Sequence, residues 1–229
     1  MKRITSFLLI EERLLEAEHF ADKLDKVHGV EFGYELNAFL SAARSVTFLL
    51  QKEMTKVEGF NDWWKEERRR RLSENSAAKF FLELRNYSQK EGRISFVGSK
   101  THGKQWSYRF TGNSEPVPSE LLNRDVAECC HEHVGRLAAA VIACAEAFPY
   151  HSCPRRALTP AGLETLGLSI RDAGEIVGFP ENWVTLAADL PIEQSLFVLS
   201  KCVDAVDFAT IQRLADWTAK PTPETTTPS

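Results

Sequence analysis

Residues 73–92, SENSAAKFFLELRNYSQKEG, decide how the chain reads. Ser73 or Asn75 can accept hydrogen bonds from the first free amides of a helix, and Gly92 supplies a stop. Between them Ala78, Phe81, Leu82, Leu84 and Tyr87 recur at helical spacing, and Phe80 widens the apolar face. The spacing predicts an amphipathic helix that carries Arg85, Asn86, Tyr87 and then Lys90 near its end. Arg85 stands between Leu84 and Tyr87, so its guanidinium emerges beside buried surface. A partly desolvated guanidinium requires an anionic or carbonyl partner.

Two longer helices precede this one. Over residues 6–28, Leu8, Leu14, Leu15, Phe20, Leu24 and Val27 repeat with helical period, and His28-Gly29 ends the run. Over 31–55, Leu36, Phe39, Leu40, Ala43, Val46, Leu50 and Met54 draw a cleaner stripe, with Asn37, Ser41, Arg44 and Gln51 off its centre. The two are expected to pack antiparallel. Gly59 breaks the pattern, and Asn61 or Asp62 can cap a short helix through Arg71 that contains Trp63-Trp64 and the arginines Arg68 to Arg71. Successive residues point in all directions around a helix, so at least one of these arginines is expected to face inward or toward a groove. The plainer reading is a solvated basic turn at a helix end that favours positive charge.

After Gly92 the period becomes two. Ile94 and Phe96, then Trp106, Tyr108 and Phe110, flank a loop from Gly98 to Gly103 and predict a β-hairpin at about 93–111. Arg93, Lys100, His102, Lys104 and Arg109 stand among these aromatics. They could form a platform for single-stranded nucleic acid, but a lone hairpin needs something to pack on, which favours a cap on a helical core. A long helix is expected from about 119 to 148, with the stripe Leu122, Val126, Cys129, Cys130, His133, Leu137, Ala140, Val141, Cys144 and Phe148, stopped by Pro149. Its half LAAAVIACAEAF suits either a bundle core or a two-fold dimer seam. Residues 150–156 read as an irregular link. Beyond them come short helices punctuated by Gly162, Gly167, Gly178 and Pro180, one from Leu190-Pro191 to about Val203, and one opened by Asp204 or Asp207 and running through Trp217. The fold class is therefore mainly α: an antiparallel helical bundle over 1–149 with one small β-hairpin, a C-terminal group of short helices over 150–218, and a tail over 219–229 whose composition predicts disorder.

The 229 residues carry a net charge of −4, so the chain as a whole lacks the basic character of a polyanion binder and any nucleic-acid contact must be local. The apolar run Phe7 to Ile10 is too short for a signal sequence, and no stretch is long enough to span a membrane. Five cysteines, an odd number, are expected as reduced thiols in a cytoplasmic protein. Cys129, Cys130, His131 and His133, with His151 and Cys153 downstream, form a tempting metal set, and Cys129 and His133 share a helical face. Adjacent cysteines cannot both reach one ion from a regular helix, however, and HEHVG lacks the spacing of a zinc protease. Small buried thiols and a core histidine are favoured, with no metal and no cofactor. Hydrolase, nucleotidase and dinucleotide motifs do not occur. Residues 169–188, SIRDAGEIVGFPENWVTLAA, resemble a helix-turn-helix. Its second helix would carry Glu181 and Asp189 and no Lys or Arg, so a packing unit is favoured over a DNA reader.

Two long antiparallel helices and a later one bearing Arg85-Asn86 ahead of Gly92 resemble the HEPN superfamily of helical-bundle proteins over about residues 6–92. The resemblance implies a bundle that dimerises so that two motifs of Arg, a polar residue and a following His face each other. In active members, often in toxin or defence modules, it implies metal-independent RNA cleavage by the 2′-hydroxyl. Here Gln89, Lys90 and Glu91 stand where the histidine belongs, and the next histidine is His102 in the hairpin loop. The expectation is therefore a homodimer that binds nucleotide or RNA, or serves assembly, without turnover. Arg85, Asn86, Tyr87 and Lys90 would line its cleft, with Arg44 and Arg68 to Arg71 adding charge. Two rivals stand beside it. One is a ribonuclease that uses His102 folded back over the motif, or Lys90 as a shifted base. The other is a regulatory module that engages protein or DNA through the C-terminal helices.

Overall fold

The computed structural model describes residues 3–100, 106–113, 116–180, 183 and 190–219. Helix α1 is Leu8–Leu24 and α2 is Val30–Met54. Every apolar position of the α2 stripe is buried. The pair is antiparallel: Lys23 Nζ lies 3.4 Å from Glu35 at one end, and the Ser6 amide donates to Glu53 Oε1 at 3.2 Å at the other. Phe7, Ile10, Leu14, Ala17, Ala21 and Leu24 form the α1 side of the seam. Leu15, expected there, is 37% exposed, because it lies about a quarter turn from Leu14 and small alanines let the helices close at that point.

Helix α3, Phe60–Arg68, starts at Gly59, whose φ of 75° takes the left-handed conformation suited to glycine. Neither Asn61 nor Asp62 caps it; the Asn61 amide instead donates to the Thr55 carbonyl at 3.2 Å. The chain continues into a single π-helical turn, Arg69–Ser73, before α4, Ser76–Lys90. Asn75 caps α4 by accepting from the Ala78 amide at 2.8 Å, and the Glu120 carboxylate accepts from the Ala77 amide at 3.0 Å and from the Ser76 hydroxyl.

Strands β1 (Phe96–Lys100) and β2 (Trp106–Phe110) pair antiparallel from Phe96↔Phe110 to Lys100↔Trp106. Gly98 to Lys100, expected in the loop, therefore belong to the strand. Gly98 faces Tyr108 so closely that a Cβ would lie 2.6 Å from its ring. Tyr108 stacks on Phe32 with centroids 3.8 Å apart and accepts a hydrogen bond from the Gly29 amide, while Phe110 sits against Phe80 and Phe81. These rungs close the helical core, so Tyr108 and Phe110 are not available to stack nucleobases.

Helix α5 is Val126–Ala147, several residues shorter than expected at its start. Asn123 takes a left-handed φ of 62° and Asp125 caps the helix, so residues 119–123 form turns and Leu122 is 51% exposed. Asp125 Oδ1 accepts from the Ala127 amide at 2.8 Å, and Oδ2 accepts from the Ser107 hydroxyl at 2.8 Å and the Tyr108 amide at 3.1 Å. One carboxylate thus ties the central helix to the hairpin.

The link expected to be irregular holds two helical turns, α6 (Pro149–Ser152) and α7 (Pro154–Ala157). Then follow α8 (Pro160–Leu166), α9 (Ile170–Val177), α10 (Ile192–Lys201) and α11 (Phe208–Ala215), with a 3-10 turn at Asp216–Ala219. Leu158, Leu163, Ala173, Leu196 and Leu199 make a small second core. Helix α11 leaves it and packs on α5, where Ile211, Leu214 and Ala215 join the main core. The expected recognition helix, apart from Trp183, and residues 220–229 lie outside the described residues. Among the described residues no helix is long and apolar enough to cross a membrane.

Replacing Asp125 with Ala removes the α5 cap and both bonds to β2. Urea denaturation should show a loss of about 2 kcal/mol of unfolding free energy, and an unchanged midpoint would mean the carboxylate does not couple the two elements.

Candidate anion-binding site

Helices α2, α3, α4 and α5 leave a cavity of about 260 Å³ between them. Leu40, Ala43, Trp64, Phe81 and Leu137 supply apolar wall. On α2 the row Arg44, Thr47, Gln51 runs along the edge of the buried stripe and faces it. Arg68 reaches it from the end of α3 and Arg85 from α4, so three guanidinium groups from three helices border one small space. Lys79 and Glu83 complete its charged lining.

The arginine run is resolved by local pairing. Arg69 bonds Glu66 and Glu74, while Arg70 and Arg71 share Glu67. Burial pushes the Glu67 carboxyl up, and the two guanidiniums more than offset that push and hold it below its usual range. Arg68 alone of the four borders the cavity. Among the described residues Arg44, Arg68 and Arg85 make no ion pair. Arg44 Nη1 donates to Thr47 Oγ1 at 2.7 Å, and its guanidinium is held below the usual arginine range by burial first and then by the positive charges of Arg85 and Arg68.

Three polar atoms of the lining residues are shielded from water without a hydrogen-bond partner: Arg85 Nε, Trp64 Nε1 and His133 Nδ1. Such groups are rare in folded proteins, because each forfeits its hydration without compensation. His133 is only 7% exposed and stacks on Phe81 with centroids 4.4 Å apart. Burial, and next the charge of Arg136, pushes its pKa down to about 3. It is a neutral imidazole at physiological pH, unsuited to exchanging protons near neutrality.

Of the residues singled out in the sequence, Arg44, Arg68 and Arg85 come together here. Asn86, Tyr87 and Lys90 lie outside the lining. Ala78, Phe81, Leu82 and Arg85 share one face of α4 at helical spacing, and the lining on this helix ends at Arg85. Thr47, Trp64, Lys79, Glu83 and His133 belong to the site although the sequence does not single them out for it. For Thr47 the available signal is its place between Arg44 and Gln51 on the α2 edge. For His133 the sequence supports only a metal-ligand or a core reading.

All five cysteines are free, and four are buried. Burial pushes the Cys129 thiol up to about 12 and raises Cys130 and Cys144 as well. His131 stacks on Trp217 and lies 3.3 Å from Asp22, while His151 bonds Thr5. Among the described residues no three of His, Cys, Asp and Glu are placed to hold a metal ion.

Fold and site together define a mainly helical bundle with an arginine-lined cavity between four of its helices. The chain belongs to the family described as bacteriophage lambda protein ea47, whose model matches residues 7–130, more than half of the sequence. The match runs from the start of α1 into α5, so it takes in Arg44, Arg68 and Arg85 and stops short of His133. No curated protein and no solved structure matches the chain.

Because the unfolded chain protonates His133 near pH 6.5 and the folded one only near 3, stability contributed at neutral pH is lost as pH falls through that window. Urea titrations from pH 6 to pH 4 should show the parent losing up to about 1 kcal/mol per pH unit more than His133→Phe. Parallel slopes would place the imidazole in water. Since the three guanidiniums repel one another, Arg44→Met without ligand should melt no lower than the parent in a thermal scan; a clear drop would point to an internal anionic partner for Arg44.

Proposed function

We propose that the protein is a cytoplasmic, HEPN-like binding or assembly component, working as a homodimer, that holds a nucleotide or RNA phosphate in the arginine cavity without turning it over. The observation that carries this reading is the approach of Arg44, Arg68 and Arg85 to one cavity with no ion pair among the described residues. Guanidinium groups gathered in this way repel one another until an anion enters, and their planar forks match phosphate oxygens. The dimer rests on the HEPN resemblance alone.

The geometry favours binding over cleavage. Attack by a 2′-hydroxyl needs a proton acceptor poised near neutrality, whereas the cavity's imidazole is buried and has its pKa near 3. Lys90 is exposed at the end of α4 and outside the lining, and His102 lies outside the described residues. The ribonuclease of a toxin or defence module is therefore the weaker reading. A protein-interacting regulatory role has one observation in its favour: Ile192, Phe197 and Val198 of α10 are exposed apolar side chains.

Fluorescence anisotropy with short labelled RNAs at low salt, followed by gel analysis of the same samples, tests the proposal. The parent should bind and leave the RNA intact, and Arg44→Ala and Arg85→Ala should each bind at least about tenfold more weakly. Equal binding by all three would remove the cavity from the function. Cleavage lost in Arg85→Ala would establish the ribonuclease instead.

A further inference from the structure

We propose that the cavity is a receptor for a phosphate monoester, the terminal phosphate of a free nucleotide or of a strand end, in preference to the internal diester of a nucleic-acid chain. This rests on reading the cavity as a nucleotide site and narrows what that site accepts.

Charge favours the monoester first. Arg44, Arg68 and Arg85 enter from three helices, and Glu83 offsets Lys79, which leaves three guanidinium charges around about 260 Å³. An internal diester brings one negative charge, whereas a monoester brings nearly two at neutral pH. In a half-buried space, positive charge left without a counter-ion is costly, so the dianion is the better match.

Shape favours it as well. A monoester presents three terminal oxygens and leaves by one arm, so it can be approached by three forks at once. A diester has two free oxygens and two arms that must both find a way out. The cavity is smaller than common ligand pockets and is walled by Phe81, His133 and Leu137 on its buried side. A space of this size matches a phosphate with part of one attached nucleoside better than the two arms of a strand. Arg85 Nε, Trp64 Nε1 and His133 Nδ1 lie unpartnered in the wall of this space but are themselves sealed from it, so the guanidinium groups carry the recognition.

The charged and titratable groups facing the ligand are Arg44 from α2, Arg68 from α3, Lys79, Glu83 and Arg85 from α4, and His133 from α5. His133 stays neutral from pH 5 to pH 8, a range in which arginine as a residue type does not titrate. A monoester loses its second charge as pH falls through about 6, so its affinity should fall there. A methyl ester of the same nucleotide, which meets the same protein groups, should not follow it.

Calorimetric titration of the full chain tests this with the four ribonucleoside monophosphates, as 5′ and 3′ isomers, each against its methyl ester, and with dinucleotides that carry or lack a terminal phosphate. At pH 7.5 at least one monophosphate should bind about tenfold or more tighter than its methyl ester. The preference should shrink toward pH 5.5 and be lost in Arg85→Ala and in Arg68→Ala, the latter a change at an exposed position that leaves the core intact. Binding of phosphorylated dinucleotides as well as monophosphates would identify strand ends as a source, and binding of monophosphates alone would identify free nucleotides; both outcomes support the inference. Methyl esters binding as tightly as monoesters would overturn it while leaving a nucleotide site in place. No binding by any of the probes would overturn both.

Discussion

The fold depends on the near-complete enclosure of one helix. Along α5 the successive residues Cys129, Cys130 and His131 are all buried, and so are His133, Val134 and Gly135 in the next turn. Side chains that follow one another on a helix point more than a quarter of a turn apart, so buried runs of this kind require neighbours on every side. α1, α2, α4, β2 and α11 supply them. The small residues Ala127, Gly135, Ala138 and Ala140 let those neighbours approach, and Asp125 fixes where the helix begins relative to the hairpin.

Within that frame, short-range pairing decides which charges are left for function. Ion pairs between near neighbours in the chain occupy side chains whatever they add to stability. Glu66, Glu67 and Glu74 engage Arg69, Arg70 and Arg71, while Arg68, one residue earlier, borders the cavity with Arg44 and Arg85. Keeping three like charges around one space without internal neutralisation costs stability in the empty protein, and such a cost is common where a fold carries a binding site.

The elements whose apolar period is regular are legible in the sequence. The α2 stripe, the Asn75 cap of α4 and the aromatic rungs of the hairpin all have local causes. Where the cause is not local, legibility ends. The start of α5 depends on a left-handed Asn123 and on Asp125 reaching the hairpin, while Leu122 continues the apolar pattern into a turn. The π turn at Arg69–Ser73 has no sequence signature, and it lies in the very stretch that determines which arginine faces inward. Arg85 is legible as a half-buried cation. Arg44 and Arg68 are legible as added charge, but the uncharged companions are not, since Trp64, Thr47 and His133 join the site only through the packing of α3, α2 and α5.

The return of α11 to the main core has a consequence for synthesis. The face of α5 that receives Ile211, Leu214 and Ala215 has no cover until the chain has been made past Ala215, although α5 itself ends at Ala147. The intervening segment can gather its own small nucleus around Leu158, Leu163 and Leu199 while the ribosome is still extending the polypeptide. The larger bundle stays open along one side throughout that interval, so its closure is a late event.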